Sequence, residues 1–287
     1  MIVVNLQGGL GNQIFQYAFA YAVAQKTNHK FKLDISIYDY DHFRKYELHH
    51  FNLTDCFATK DEIDKVKIKS KSFLSTVVEK LTNRPTVYYK EKHWCGFDNE
   101  VFTVKGDIYY DGFWQNEKYF TDFRQNLTEI FTNYKLHEES IIYEEAINSR
   151  QSVSLHIRRG DYVTNEWANN YLGIIDLSYY RNAVSLIESR NKNSTYFIFS
   201  DDLPWATKNL DFIKNKTFVS LDKDVPDSDE IILMSKCRNN IIANSTFSWW
   251  GAWLNNHSNK TVIIPEHWTK DRSVDTKGII AKSWICL

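Results

Sequence analysis

The sequence has little glycine, proline or excess charge, and each shortage excludes a class of protein. Its 287 residues include only 10 Gly and 4 Pro, too few for a collagen-like or low-complexity chain. Its 35 Lys and Arg residues are balanced by 36 Asp and Glu residues, which gives a net charge of −1. Because nonspecific nucleic-acid binding normally needs a basic excess, we expect no nucleic-acid partner.

The chain also lacks a long hydrophobic run and paired cysteines. Polar residues (Asn5, Gln7, Asn12 and Gln13) interrupt its apolar start, and no basic segment comes before them. The start therefore predicts a strand, a turn and a helix, and neither a signal peptide nor a membrane span. The four cysteines are scattered without a CxxC pair, which favours reduced thiols in a cytoplasmic protein over disulfides.

What the sequence does contain is an alternation of strands and helices, clearest in its second half. We predict strands at 152–157, 195–200, 216–220, 240–243 and 261–264, separated by helices at 177–190, after Pro204, at 229–237 and at 247–254. The first half opens in the same way, with a strand at 2–6, a helix at 13–26 and a strand at 30–34. The pattern weakens over 38–92, and an amphipathic helix is predicted at 116–131.

Alternating strands and helices imply parallel, doubly wound sheets. We therefore predict an α/β fold of two Rossmann-like domains facing a cleft. The expected domains are residues 1–145 and residues 146–287.

A glycine-rich loop joins the first predicted strand to the first helix. Gly9 and Gly11, followed by Asn12, would let a ligand approach the backbone and would point amides at negative charge. The loop matches part of the GxGxxG dinucleotide pattern, with Ile14 in place of the third glycine. Asp34 ends the next strand, where an NAD-dependent oxidoreductase would hold the ribose. Both that enzyme and a purely structural tight turn stay open on these residues.

The segment from His156 to Tyr162 carries two adjacent arginines directly after a strand. Arg158 and Arg159 match phosphate oxygens with paired donors, and alternation along the strand lets at most one of them face a ligand directly. Asp161 could hold the other. The alternative is an Arg–Asp salt bridge at the surface.

Polar clusters follow two further strands of the same domain. Asp201 and Asp202 end one strand, and Asn244, Ser245 and Thr246 lead from another into a helix. Each cluster alone could be a helix cap. Since the carboxyl ends of parallel strands line the ligand crevice, the clusters together with the arginines indicate a nucleotide site.

The sequence gives only weak indications of a metal site. Three DxD sequences, at 39–41, 222–224 and 227–229, lie in charged segments where such short patterns arise by chance. No HExxH or zinc-type Cys/His spacing occurs, so no metal is expected.

The aromatic segment 247–254 could stack on sugars or bases, but core packing in a helix is favoured.

Four segments together resemble glycosyltransferase family 11, the bacterial and animal α-1,2-fucosyltransferases. They are GGLGNQIFQYAFA (8–20), HIRRGDY (156–162), FSDD (199–202) and NSTFSWWGAWL (244–254). The resemblance implies a GT-B arrangement and an inverting, metal-independent hexosyltransferase without a cofactor. That enzyme would move L-fucose from the substrate GDP-β-L-fucose to the 2-hydroxyl of a galactose-type acceptor. The acceptor would be an oligosaccharide or a lipid-linked glycan in surface-glycan or O-antigen synthesis, and membrane association would be peripheral at most.

The resemblance also suggests roles for the second-domain residues. Arg158 would meet the β-phosphate, helped by Ser245 and Thr246, with Arg159 as support or as a second contact. His156 would contact the nucleotide or orient Arg158.

Further roles concern the guanine base and the first domain. Asp201 or Asp202 would accept hydrogen bonds from guanine N1 and N2. Gly9, Gly11 and Asn12 would close over the sugar-phosphate from the first domain. The last residues, 282–287, are expected to pack back on the first domain. The general base is assigned to Glu166, just after the arginine motif, with Asp161 as the alternative. A noncatalytic glycan-binding protein is the remaining alternative.

Overall fold

The computed structural model describes residues 1–67, 86–160, 163 and 166–287. The chain folds as two compact units. Unit 1 comprises Met1–Ile130 with Lys277–Ile279, and unit 2 comprises Phe131–Thr276 with Ile280–Leu287. No helix among the described residues is both long enough and apolar enough to cross a membrane.

Unit 1 is built on a four-stranded parallel sheet. Its strands are β1 (Ile2–Asn5), β2 (Phe31–Asp34), β3 (Thr86–Lys90) and β4 (Asp107–Asp111), in the order β2-β1-β4-β3. Helices α1 (Leu10–Thr27) and α2 (Lys60–Lys67) accompany the sheet, with short 3₁₀ turns at Ser36–Asp39, Leu48–Phe51, Asn99–Phe102, Glu117–Tyr119, Thr121–Phe123 and Lys277–Ile279. Because the strands are all parallel, their carboxyl ends lie at one edge.

Aromatic side chains form the core of unit 1 between α1 and β4. The rings of Phe19 and Trp114 stack with centroids 4.0 Å apart, and Tyr110 and Tyr119 meet Phe19 edge-on at 5.2 Å. All four side chains are buried. Stacked and edge-on rings of this kind contribute beyond the area that they bury, so they fix how α1 lies on the sheet.

Unit 2 is built on a six-stranded parallel sheet, in the order β10-β9-β8-β5-β6-β7. Its strands are β5 (Ser152–Ile157), β6 (Thr195–Ser200), β7 (Lys216–Phe218), β8 (Asn239–Ile241), β9 (Val262–Ile264) and β10 (Ile285–Cys286). Its helices are α4 (Glu138–Asn148), α5 (Glu166–Tyr171), α6 (Leu177–Arg190), α7 (Leu203–Asn209), α8 (Asp227–Lys236) and α9 (Thr246–Leu254). They follow α3 (Arg124–Thr132), which spans the division between the units.

The tryptophan-rich segment packs in the core, as the sequence favours. In α9 the rings of Trp249, Trp250 and Trp253 are at most 1% exposed and contact one another, with centroids 5.0–6.2 Å apart. Gly251 lies against α8, where an added Cβ would stand 2.6 Å from the Cβ of Met234. The glycine therefore allows the two helices to approach closely.

Most predicted elements of unit 2 are confirmed to within about three residues, but the division of the chain differs from the expected 145/146. Asp229 of α8 accepts from the Tyr134 hydroxyl at 2.5 Å and from the His137 amide at 2.9 Å. These contacts tie the segment before α4 to unit 2, so the division falls at Ile130/Phe131.

Two other expectations are corrected. Residues 285–286, which were expected to pack on the first domain, form β10 beside β9, and Ile280–Leu287 groups with unit 2; Lys277–Ile279 groups with unit 1. The predicted helix at 116–131 is two 3₁₀ turns followed by α3, and Asn116 caps the first of those turns. Strand β3 lies within region 38–92, where the sequence pattern is weak, and β4 follows that region. The sequence pattern predicts neither strand.

The close packing of Gly278 gives a testable prediction. A Cβ on Gly278 would stand 1.7 Å from the Cys95 carbonyl oxygen, which also accepts a hydrogen bond from Asn116 Nδ2 at 2.8 Å. Gly278→Ala must therefore move backbone, and we expect it to lower the free energy of unfolding by about 3 kcal/mol in urea denaturation. Ser283→Ala, at an exposed position nearby, is the control. Equal denaturation midpoints for the two variants would contradict this packing.

Candidate active site

The candidate site lies at the carboxyl edge of the second sheet. Strand β5 pairs with β6 over six residues, from Ser152↔Thr195 to Ile157↔Ser200, and with β8 on its other side. The predicted motifs follow directly after these three neighbouring strands. The sheet therefore brings together three clusters that are far apart in the sequence.

Two ion pairs join the arginines after β5 to the aspartates after β6. Arg158 Nη1 lies 3.1 Å from Asp201 Oδ2, and Arg159 Nε lies 3.1 Å from Asp202 Oδ2. The Arg159 amide also donates to Asp201 Oδ1 at 2.8 Å. Asp161, the partner proposed from the sequence, lies outside the described residues. The arginines thus have aspartate partners on the neighbouring strand.

Arg159 also contacts the Trp205 ring, and its partner Asp202 has a second role. Its Cζ stands 4.2 Å from the centroid of the Trp205 ring, a cation–π contact. Asp202 also caps α7, since its Oδ1 accepts from the Trp205 amide at 3.1 Å. The capping alternative for Asp202 is therefore confirmed, and a guanine contact by Asp201 or Asp202 would compete with the ion pairs. Nothing in the sequence pattern indicates this role of Trp205.

His156 is buried beside Arg158. The residue is 3% exposed, and its Nδ1 has no hydrogen-bond partner among the described residues. Burial, with a smaller contribution from the Arg158 charge, lowers the pKa of His156 to about 3. The imidazole is therefore neutral near pH 7, and its ring lies 5.8 Å from that of Phe247 in α9.

The start of α9 offers donors that the helix itself does not use. Ser245 is the N-cap residue, yet its hydroxyl makes no capping hydrogen bond. The capping alternative for Ser245 is therefore wrong. The first amides of a helix, beginning here at Thr246, have no intrahelical acceptor and attract anions. Asn244 has a different role, because its Nδ2 donates to the carbonyls of Leu172, Gly173 and Trp268 and so anchors the loop before the helix.

One acidic residue near the arginines was not identified from the sequence. Glu230 lies in the first turn of α8, where burial, with the charges of Asp227 and Asp201, raises the pKa of its carboxyl to about 8. Arg158 opposes that shift. A carboxyl that stays protonated at neutral pH can donate a hydrogen bond. From the sequence, only the DxD pattern at 227–229 was noted here, and Glu230 received no role.

In the glycine loop of unit 1, the tight turn is made at Gly8. Gly8 has φ +80°, and a Cβ there would stand 2.5 Å from Asn12 Nδ2. Gly9 is the N-cap of α1, while Gly11 is buried in its first turn, so Gly11 belongs to the helix and not to the loop. Asn12 Oδ1 accepts from Gln115 Nε2 at 2.9 Å. Gly8, which was not among the predicted site residues, is thus the position where the turn requires glycine.

Asp34 does not offer the carboxylate that the oxidoreductase alternative needs. It is fully buried at the end of β2, and its Oδ2 accepts from the Tyr109 hydroxyl at 2.6 Å and from Lys67 Nζ at 2.9 Å. Its Oδ1 accepts from the Ser36 amide at 3.0 Å. Since both oxygens serve the fold of unit 1, the structure gives no support to ribose binding there.

Glu166 is exposed as the first residue of α5, in unit 2. The described residues contain no group of three or more His, Cys, Asp or Glu side chains placed to hold a metal ion.

Comparison with known proteins gives the family of the chain. The family model described as Glycosyl transferase family 11 matches residues 1–287. The chain is 34% identical to an alpha-1,2-colitosyltransferase of Escherichia coli, over 99% of this chain and 98% of that one. It is 26% identical to the galactoside alpha-(1,2)-fucosyltransferase 1 of Rattus norvegicus, over 38% of this chain and 29% of the rat protein.

A solved structure shares the fold. A mutant of Arabidopsis thaliana FUT1 in complex with GDP has a TM-score of 0.50 and 14% identity, and the match covers 95% of this chain and 73% of that one. This likeness and the two parallel sheets agree with the GT-B type of α/β fold. The match over the whole chain shows that this protein belongs to glycosyl transferase family 11.

Proposed function

We propose that the protein transfers L-fucose from GDP-β-L-fucose to the 2-hydroxyl of a terminal galactose, with inversion at the anomeric carbon. Unit 2 would bind the donor nucleotide and unit 1 the acceptor, in the synthesis of a surface glycan such as an O-antigen, on the cytoplasmic side of the membrane. The observation that carries the proposal is the pair of arginines after β5, held by aspartates after β6 at the carboxyl edge of a parallel sheet.

The arginines would have different tasks. Arg159 is fixed by Asp202 and by the Trp205 ring, so it serves as support. Arg158 is held by Asp201, and that ion pair leaves its side chain 22% exposed. A guanidinium held in this way can meet the β-phosphate, which gains negative charge as the bond to the sugar breaks.

The remaining donor contacts follow from the neighbouring residues. The Ser245 hydroxyl and the amides at the start of α9 would share the phosphate charge, so fixed protein groups would take the place of a metal ion. His156 is neutral, and its Nδ1 has no partner among the described residues. It would accept a hydrogen bond from the nucleotide or orient Arg158. On the side of unit 1, Gly9 and Asn12 would contact the sugar-phosphate.

An inverting displacement also needs one general base for the acceptor hydroxyl. The sequence favours Glu166 for this role, with Asp161 as the alternative.

A second donor has a specific observation in its favour. The E. coli relative with 34% identity over nearly the whole chain is named a colitosyltransferase. Colitose lacks the 3-hydroxyl of fucose, so one nucleotide site could accept either sugar. The test must therefore compare both donors.

Removal of the Arg158 guanidinium is expected to lower kcat by about 10²–10³-fold, because the charge on the leaving GDP then loses a fixed donor. The measurement is steady-state transfer by Arg158→Ala. The control is Arg181→Ala, whose guanidinium is half-exposed and 3.8 Å from Asp211 on the surface of unit 2. A near-normal kcat/KM in Arg158→Ala would show that Arg158 does not contact the β-phosphate.

The function itself is tested by incubating purified protein with GDP-β-L-fucose or GDP-L-colitose and a panel of β-galactosides, with and without EDTA. We expect fucosylated product, unchanged by EDTA, and linkage analysis that places fucose on the galactose 2-hydroxyl. Product with GDP-L-colitose but not with GDP-β-L-fucose would show that the transferred sugar is colitose and not fucose. The absence of any product, with no binding of GDP by calorimetry, would refute the proposal.

A further inference from the structure

The four charged side chains that form the two ion pairs of the candidate site cancel one another. Arg158 is paired with Asp201, and Arg159 is paired with Asp202. A nucleoside diphosphate carries several negative charges, and a cation that already has an anionic partner attracts it less than a free cation does. The start of α9 adds only the partial charge of a helix N-terminus. A further cation at this edge of the sheet would therefore strengthen the proposed donor site.

Two basic side chains follow the next strand of the same sheet. Strand β9 pairs in parallel with β8, so the β9 loop (residues 265–276) leaves the same edge as the segment that opens α9. Lys270 and Arg272 in this loop are exposed, and in the described part of the chain their side chains make no ion pair or hydrogen bond. Asp271 lies between them and accepts from the Ser273 amide and hydroxyl at 2.9 and 2.7 Å. Both cations are therefore available to an anionic ligand.

The fold anchors Lys270 close to the start of α9. Asn244, which directly precedes the N-cap residue of α9, is 1% exposed. Its Nδ2 donates to the carbonyls of Trp268 in the β9 loop and of Gly173, in both cases at 3.2 Å. The Lys270 amide donates to the Tyr171 carbonyl at 3.0 Å. One buried amide thus ties the β9 loop and the segment 171–173 to the start of the helix.

A left-handed glycine lies against the lysine side chain. Gly173 has φ +72°, and a Cβ there would stand 3.2 Å from Lys270 Cβ and 3.6 and 3.7 Å from its Cγ and Cδ. The stem of Lys270 therefore runs along Gly173, whose carbonyl Asn244 binds. Because a lysine stem is long and flexible, an anion held at Ser245, the next residue after Asn244, lies within the reach of the ammonium group.

We propose that Lys270 binds a phosphate group of the donor diphosphate, together with Arg158 and the start of α9. This inference rests on the proposed function and adds a residue to its donor site. The ammonium group would act as a point charge that gives up no protein partner on binding, whereas Arg158 shares its charge with Asp201. Lys270 is preferred to Arg272 because its amide and its stem both contact the segment that Asn244 anchors.

The test is the affinity of Lys270→Met for GDP, measured by calorimetry at low and at high KCl. Methionine keeps an unbranched stem against Gly173 and removes the charge, so the melting temperature should stay at the wild-type value. The dissociation constant should rise about tenfold at low KCl, as expected for the loss of one charged hydrogen bond. This loss should shrink at high KCl, because salt screens an exposed charge.

Three further variants show whether the charge at this position is responsible. Lys270→Arg keeps the charge and should bind GDP within about threefold of wild type. Lys192→Met removes an exposed lysine between α6 and β6, at the opposite edge of the same sheet, and should leave the affinity unchanged. Arg272→Met removes the other cation of the β9 loop and should weaken GDP binding less than Lys270→Met does.

These measurements separate a donor contact from an ordinary surface lysine. A dissociation constant within about twofold of wild type in Lys270→Met would overturn the inference. So would a loss of equal size at both KCl concentrations, an equal loss in Lys192→Met or Lys270→Arg, or a larger loss in Arg272→Met.

The inference and the proposed function fail in different ways. Wild-type protein that binds GDP but transfers no sugar fails the proposed function and leaves the Lys270 contact with GDP standing. Active wild-type protein together with an unchanged GDP affinity in Lys270→Met fails this inference alone. Wild-type protein that binds no GDP contradicts both.

Discussion

The in-register pairing of β5 with β6 is the constraint on which the candidate donor site depends. Six consecutive pairs end at Ile157 and Ser200, so that the next residues along both strands emerge side by side. Arg158 and Arg159 thereby meet Asp201 and Asp202. A shift of one residue would turn every side chain to the other face of the sheet and separate the charges.

The ion pairs do more than cancel charge. Two adjacent guanidiniums repel each other, and their aspartates hold them in place before any ligand arrives. Preorganised charge is what a departing diphosphate requires, since groups already in position need no rearrangement during the reaction. Arg159 is stacked on Trp205, whereas Arg158 is somewhat more exposed, and the proposed roles of support and phosphate contact rest on this difference.

Unit 1 uses its polar residues differently. Asp34 is committed to the fold through Lys67, Tyr109 and Ser36. Glu91 holds the turn after β4 and keeps a raised pKa, because burial outweighs the two amides that it accepts from. Two carboxylates at one sheet edge thus have opposite electrostatic surroundings: a cation lies beside Asp34, and an anion lies beside Glu91.

The sequence by itself determined the alternation of strands and helices in unit 2, the parallel sheet, the core role of the tryptophans in α9 and the family. These features rest on local pattern and composition, which are legible along the chain. Only the tertiary structure decided that Asp201 and Asp202 are the partners of the arginines, that the Ser245 hydroxyl does not cap α9, and that Glu230 and Glu91 have raised pKa values. It also decided that the division falls at Ile130/Phe131 and that the terminal strand joins the second sheet. The reason is physical: ion pairs, burial and pKa shifts depend on distances between residues remote in sequence, and such distances exist only once the sheets have formed.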